Sequence, residues 1–74
     1  MILGKIFLMV RLKELREEKE LSQTQLAKEI NVNQRTISNW ETGVSEPDIQ
    51  AIKKLCEFFE TTADYLLGFK EFET

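Results

Sequence analysis

Apolar residues recur along this chain at helical spacing, and alternation of apolar and polar positions is absent beyond the N-terminus, which makes the class all-α. A first helix is predicted from about Val10 to Lys19. Leu8, Leu12 and Leu15 fall on one face, Arg16 lies beside them, and Glu14, Glu17 and Glu18 look outward. The second helix has a complete start signal. Ser22 is an N-cap, Gln25 three residues later makes a capping box, and Leu21 with Leu26 forms the hydrophobic staple. Leu26, Ala27 and Ile30 make its inner stripe. Asn31 is the predicted stop, since Asn tolerates the left-handed conformation that ends helices.

A third helix follows at once behind the N-cap Asn33. Ile37 and Trp40 point inward, Val32 closes the turn, and Gly43 ends the helix. Two helices this short, joined only by Asn31 and Val32, cannot run antiparallel. They must cross steeply, as in a helix-turn-helix, here residues 22–41. A fourth helix follows Pro47 with Asp48 as cap and Ile49, Ile52, Leu55, Cys56 and Phe59 as its stripe. A short fifth helix is predicted from Ala63 to Leu67, capped by Thr62 and ended by Gly68. The tail, residues 69–74, is acidic and expected to fray.

Length allows one small domain, with residues 1–10 as an apolar extension and 11–68 as the domain itself. A core of this size supplies only a few kcal/mol, so added stabilisation is expected. An intrachain disulfide is excluded because Cys56 is the only cysteine, and a chain with no His and one thiol is a poor zinc host. Dimerisation is the remaining source. The absence of His also removes Ser/His and Cys/His constellations, and the neighbouring Glu17 and Glu18 point apart on a helix. No enzyme, cofactor, metal or small-molecule ligand is indicated. Cys56 reads as a small packed hydrophobe rather than a redox sensor.

The net charge of −3 sits entirely in residues 60–74, where Glu60, Asp64, Glu71 and Glu73 face Lys70 alone. Affinity for nucleic acid must therefore come from a local face and not from bulk charge. The apolar stretch Met1–Val10 is about half of the ~20 residues a spanning helix needs. It is followed by the charged run from Arg11 to Glu20 and not by a cleavage site. With a lone thiol that suits a reducing interior, the chain reads as cytoplasmic with no membrane partner.

The third helix leaves Gln34, Arg35, Ser38 and Asn39 outside, with Asn33 and Thr36 near its start. From Asn31 to Asn39 the only charge is Arg35. Amides and guanidinium groups are the side chains that pair bidentately with adenine and guanine edges in the major groove. Gln23 and Thr24 occupy the first turn of the second helix, where free N–H groups favour a phosphate. Lys28 is placed to approach the DNA backbone, and Thr42 follows the third helix on its other side.

Two segments resemble the phage Cro and repressor family, also called the XRE family. Leu21-Ser22-Gln23-Thr24-Gln25-Leu26-Ala27 is similar to its "L-S-Q-x-x-L-A" entry. Asn33-Gln34-Arg35-Thr36-Ile37-Ser38-Asn39-Trp40-Glu41-Thr42-Gly43 is similar to its "S-x-x-T-I-S-x-W-E-x-G" segment. Pro47 and Asp64-Tyr65-Leu66-Leu67-Gly68 fit as well, so the resemblance runs from about Arg11 to Gly68. It implies a compact five-helix, lambda-repressor-like DNA-binding domain with the third helix in the major groove. It implies base reading by Gln34, Arg35 and Asn39, a phosphate contact by Gln23, and a structural ion pair between Arg16 and Glu41. The family usually carries Gly or another small residue where Glu20, Asn31 and Glu60 stand, so Glu20 and Glu60 are expected to strain or lengthen their turns.

Met1–Met9 has no counterpart in the pattern. It is an added strand, an extension of the first helix, or a stretch upstream of a natural start at Met9. The length resembles that of stand-alone regulators. The expected function is a sequence-specific repressor of double-stranded DNA, acting as a dimer on a palindromic operator with half-sites about 34 Å apart. Phe58, Tyr65, Leu67, Phe69 and Phe72 are the candidate dimer patch, with the N-terminal segment as second choice. The alternative is a protein-interaction module such as an antitoxin or adaptor.

Overall fold

A computed structural model describes residues 2–69, with the backbone alone for 2–5. It contains α1 (Ile2–Glu18), α2 (Gln23–Ile30), α3 (Gln34–Thr42), α4 (Ile49–Phe59) and α5 (Ala63–Leu66), and no strand among the described residues. α2 packs on α3 and α4, α1 on α3 and α5, and α4 on α5. The core is formed by Leu8, Leu12 and Leu15 of α1, Leu26, Ala27 and Ile30 of α2, Ile37 and Trp40 of α3, Ala51, Leu55 and Phe59 of α4, and Leu66 of α5. Ala27 sits between α2 and its neighbours, where a larger side chain would hold the helices apart.

The starts of α2, α3, α4 and α5 are where the caps placed them. Ser22 accepts from the Gln25 N–H at 3.0 Å and Gln25 reaches back to the Ser22 N–H at 2.7 Å, completing the capping box. Asn33, Asp48 and Thr62 accept from the backbone of Thr36, Ala51 and Tyr65. The ends share one device. The backbone N–H groups of Leu21, Val32, Val44 and Thr61 bond back to the carbonyls of Arg16, Ala27, Asn39 and Cys56 at 2.9–3.1 Å. This wrap-around bond needs a left-handed residue just before the donor. Those residues are Glu20, Asn31, Gly43 and Glu60, with φ of 55°, 60°, 80° and 54°. The turns at Glu20 and Glu60 thus keep the length a glycine would give, and carry the strain of a side chain in that conformation.

Two expectations change. The first helix begins at Ile2 and not near Val10, so the N-terminal segment extends α1. Leu8 is buried within the core. Residues 2–10 are apolar on nearly every face, so their periodicity carries no helical signal in the sequence. The inner line of α4 is Ala51, Leu55 and Phe59 at four-residue steps, flanked by the half-buried Ile52 and Cys56. Ile49, assigned to that stripe, is 82% exposed, because it stands in the first turn, outside the angle these residues share.

The extended α1 is tied to the end of the domain. The Arg11 guanidinium lies 4.1 Å from the Tyr65 ring centre and 5.2 Å from that of Phe7, and it donates to the Tyr65 carbonyl. Phe7 lies against Gly68, where an added Cβ would come within 2.4 Å of its ring and φ is +86°. No described helix is long and apolar enough to cross a membrane.

Candidate nucleic-acid interface

α3 divides its residues by duty. Ile37 and Trp40 are buried, whereas Gln34 and Arg35 are exposed and Ser38 and Asn39 half-exposed. The four expected base-reading residues therefore share the outer side of one helix. Neither α2 nor α3 has an acid in its first turn. Neither helix therefore carries a carboxylate of its own at the positive end of its dipole.

The α2 start and the α3 start are joined by side chains. Gln34 Nε2 donates to Gln23 Oε1 at 2.6 Å, and Gln23 Nε2 donates to Glu41 Oε1 at 3.1 Å. Glu41 in turn holds Arg16 in a two-pronged pair, with Nε to Oε2 at 2.6 Å and Nη2 to Oε1 at 3.0 Å. Arg16 also donates through Nη1 to the Leu21 carbonyl at 2.8 Å, just before the α2 cap. The two side chains are 11% and 4% exposed, so this fork works largely out of water. The Glu41 carboxylate, by its hydrogen bond before its charge, pushes the Arg16 pKa further above its ordinary value against the opposing effect of burial.

The remaining expected phosphate contacts are at the surface or its edge. Thr24 and Lys28 are exposed on α2. Asn33 is exposed, but its Oδ1 is occupied as the α3 cap, accepting from Thr36 N and from the Thr36 hydroxyl at 2.9 and 2.8 Å. The Thr42 hydroxyl turns back on the helix and donates to the Ser38 carbonyl at 2.9 Å. Its outward capacity is therefore that of an acceptor until the hydroxyl rotates.

The candidate dimer residues are spread over different roles. Phe58 is half-buried, edge-on to Phe59 at 5.0 Å, with Lys19 Nζ 5.6 Å from its ring centre. Tyr65 and Leu67 are half-buried against the core. Of the five only Phe69, at 63%, is a strongly exposed apolar side chain among the described residues, and Phe72 lies outside them. Ile6 and Val10, one turn apart on α1, are exposed as well. Among the described residues no group of His, Cys, Asp and Glu is placed to hold a metal.

Sequence reasoning did not find the links from Gln23 to Glu41 and Gln34. They join positions 18 and 11 residues apart, and no local pattern marks them. The Phe7–Arg11–Tyr65 clamp was equally invisible, being made by helices from the two ends of the chain.

A helix-turn-helix family profile matches residues 12–66, about three quarters of the chain. The chain belongs to the Cro/repressor-type helix-turn-helix family. Members similar to it are named as regulators of transcription. It is 39% identical over 64 residues to the HTH-type transcriptional activator BcrR of Enterococcus faecalis, which covers 86% of this chain and 31% of that protein. It is 35% identical over 58 residues to the regulator ImmR of Bacillus subtilis (strain 168), covering 78% and 46% of the two chains. The chain thus spans less than half of the length of each of these relatives, 31% and 46%. This helix-turn-helix fold also superposes on the P22 c2 repressor crystallised with a synthetic operator, with a TM-score of 0.80 and 27% identity over 85% of this chain and 96% of that one. A transcriptional regulator from Listeria innocua gives a TM-score of 0.79 and 30% identity over 85% and 59%.

Proposed function

We propose that this chain is a transcription regulator that binds double-stranded DNA in a sequence-specific manner, in the cytoplasm, with α3 in the major groove. The observation that carries the reading is the outer side of α3. It presents two amides, a guanidinium and a hydroxyl at Gln34, Asn39, Arg35 and Ser38, side chains with no duty in the core. Ordinary solvated helix faces are rich in Glu and Lys; this one offers the groups that match base edges. Gln23, Thr24, Lys28, Asn33, Thr36 and Thr42 flank it as the phosphate contacts that set register.

The regulator acts as a homodimer on a palindromic operator, two copies of α3 entering successive major grooves about 34 Å apart. Its action is that of a repressor, which blocks a promoter by occupying it. The likeness to the P22 c2 repressor supports this sign.

Selection from random DNA tests the reading. The expected result is an enriched palindrome with half-sites about one turn apart. Recovery of no motif, together with a protein that co-purifies in fixed ratio, would establish an adaptor instead. Arg35→Ala should relax preference at one base position and cost about 1–3 kcal/mol. Equal weakening on every sequence would remove Arg35 from base reading.

A further inference from the structure

We infer that Glu41, which lies behind the reading surface, is a positioning residue that sets which base Gln34 accepts. The inference rests on the proposed reading of DNA by α3 and adds to it a mechanism of discrimination.

An amide side chain has a donor end and an acceptor end of nearly equal shape, so its orientation is decided by its neighbours. A carboxylate has no such ambiguity, since it only accepts. Arg16 fixes Glu41 from behind with two hydrogen bonds at 2.6 and 3.0 Å. Glu41 Oε1 is then a fixed acceptor facing Gln23 at 3.1 Å, which must turn its NH2 toward it. The opposite end of Gln23, Oε1, is thereby aimed at Gln34, and Gln34 must present Nε2 to it at 2.6 Å. Polarity is handed from a charged pair between α1 and α3 to the start of the exposed helix. The last amide is left with Oε1 and a single N–H for a base.

One acceptor beside one donor is the complement of adenine, which offers N6–H and N7 in the major groove. It is the wrong complement for guanine, whose O6 and N7 both accept, so that O6 would face Gln34 Oε1. Were the relay reversed, Gln34 would accept from Gln23 and present both of its N–H groups outward, which suits guanine. A neutral amide at position 41 allows that reversal, because it can turn its own NH2 toward Gln23.

The test is made with the full chain on operator duplexes obtained by random-site selection. The position read by Gln34 is the one whose preference Gln34→Ala erases. Binding is then measured on duplexes with adenine or guanine there, and thermal melts establish the folded fraction. Wild type is expected to prefer adenine by at least about tenfold. In Glu41→Gln that ratio should fall to within about threefold. Gln23→Ala breaks the relay without touching the ion pair, should collapse the ratio likewise, and serves as the reporter if Glu41→Gln does not fold. A purely structural role for Glu41 would weaken binding to both duplexes alike and leave the ratio unmoved. A folded Glu41→Gln or Gln23→Ala that keeps the wild-type ratio overturns the inference, as does a wild-type preference for guanine. If wild type selects no motif at all, the failure lies with DNA reading itself and is recognisable before any variant is made.

Discussion

Glu20 and Glu60 hold the left-handed conformation at the ends of α1 and α4, where the wrap-around hydrogen bonds require it. A side chain costs about 1–2 kcal/mol in that conformation, offset in part by the chain entropy a glycine would lose on folding. Glu20→Gly and Glu60→Gly are each expected to stabilise the domain by about 0.5–1 kcal/mol, read as a rise of several degrees in Tm. An unchanged or lower Tm would mean that these side chains gain something the hydrogen bonds do not show. Gly68 behaves oppositely. Its φ of +86° and the Phe7 ring leave no room for a Cβ, so Gly68→Ala should lower stability by about 1–3 kcal/mol. At Cys56, burial first and then the neighbouring Glu57 push the thiol pKa up. The group therefore favours the fold below the usual thiol range, and that contribution fades as pH rises through the raised value. Alkylation of the native protein at mildly alkaline pH should be slower than that of the unfolded chain.

Among the helices, legibility followed locality. Caps and stops of α2 and α3 are written within four residues of where they act, and both helices begin and end as read. Ile49 was misplaced because a stripe counted from the first apolar residue ignores the angle the later ones share; Ala51, small and easily passed over, holds the inward position. The N-terminal half of α1 was hidden by its own uniformity. Its Leu8 is 3% exposed in the core, so Leu8→Ala should cost about 2–5 kcal/mol in denaturant unfolding, comparable with Leu12→Ala. A cost under ~1 kcal/mol would detach the start of α1 from the cooperative unit. The Arg16–Glu41 fork was expected only through family resemblance. Removing Arg16 leaves a carboxylate 4% exposed without its counter-ion, and Arg16→Met should therefore destabilise by about 3 kcal/mol or more.

For the molecule as a whole, the charge balance shapes binding more than folding. Among the proposed phosphate contacts the cation is Lys28, one per protomer and so two in a dimer. Counterion release at about two phosphates gives a slope near −1.8 for log K against log salt. Operator affinity should then fall on the order of tenfold between 50 and 200 mM salt, a gentler loss than that of strongly basic proteins. A slope below −8 would place many more cations on the DNA than the proposed face holds. The self-association on which a dimer depends is checked by sedimentation across protein concentration, where a monomer that persists while bound to a full palindrome would remove the two-fold arrangement.

The division of labour on α3 has an evolutionary reading. Ile37 and Trp40 secure the helix, so Arg35, Ser38 and Asn39 are at liberty to change without unfolding the protein. New binding sites can be explored there by neutral drift, one residue at a time. Gln34 is the exception: tied to Gln23 and through it to the ion pair, it can be exchanged only together with its supports. A lineage descending from such a protein would be expected to scatter at the three loose positions and to change the fourth in concert, leaving a trace of linked substitutions at 23, 34 and 41.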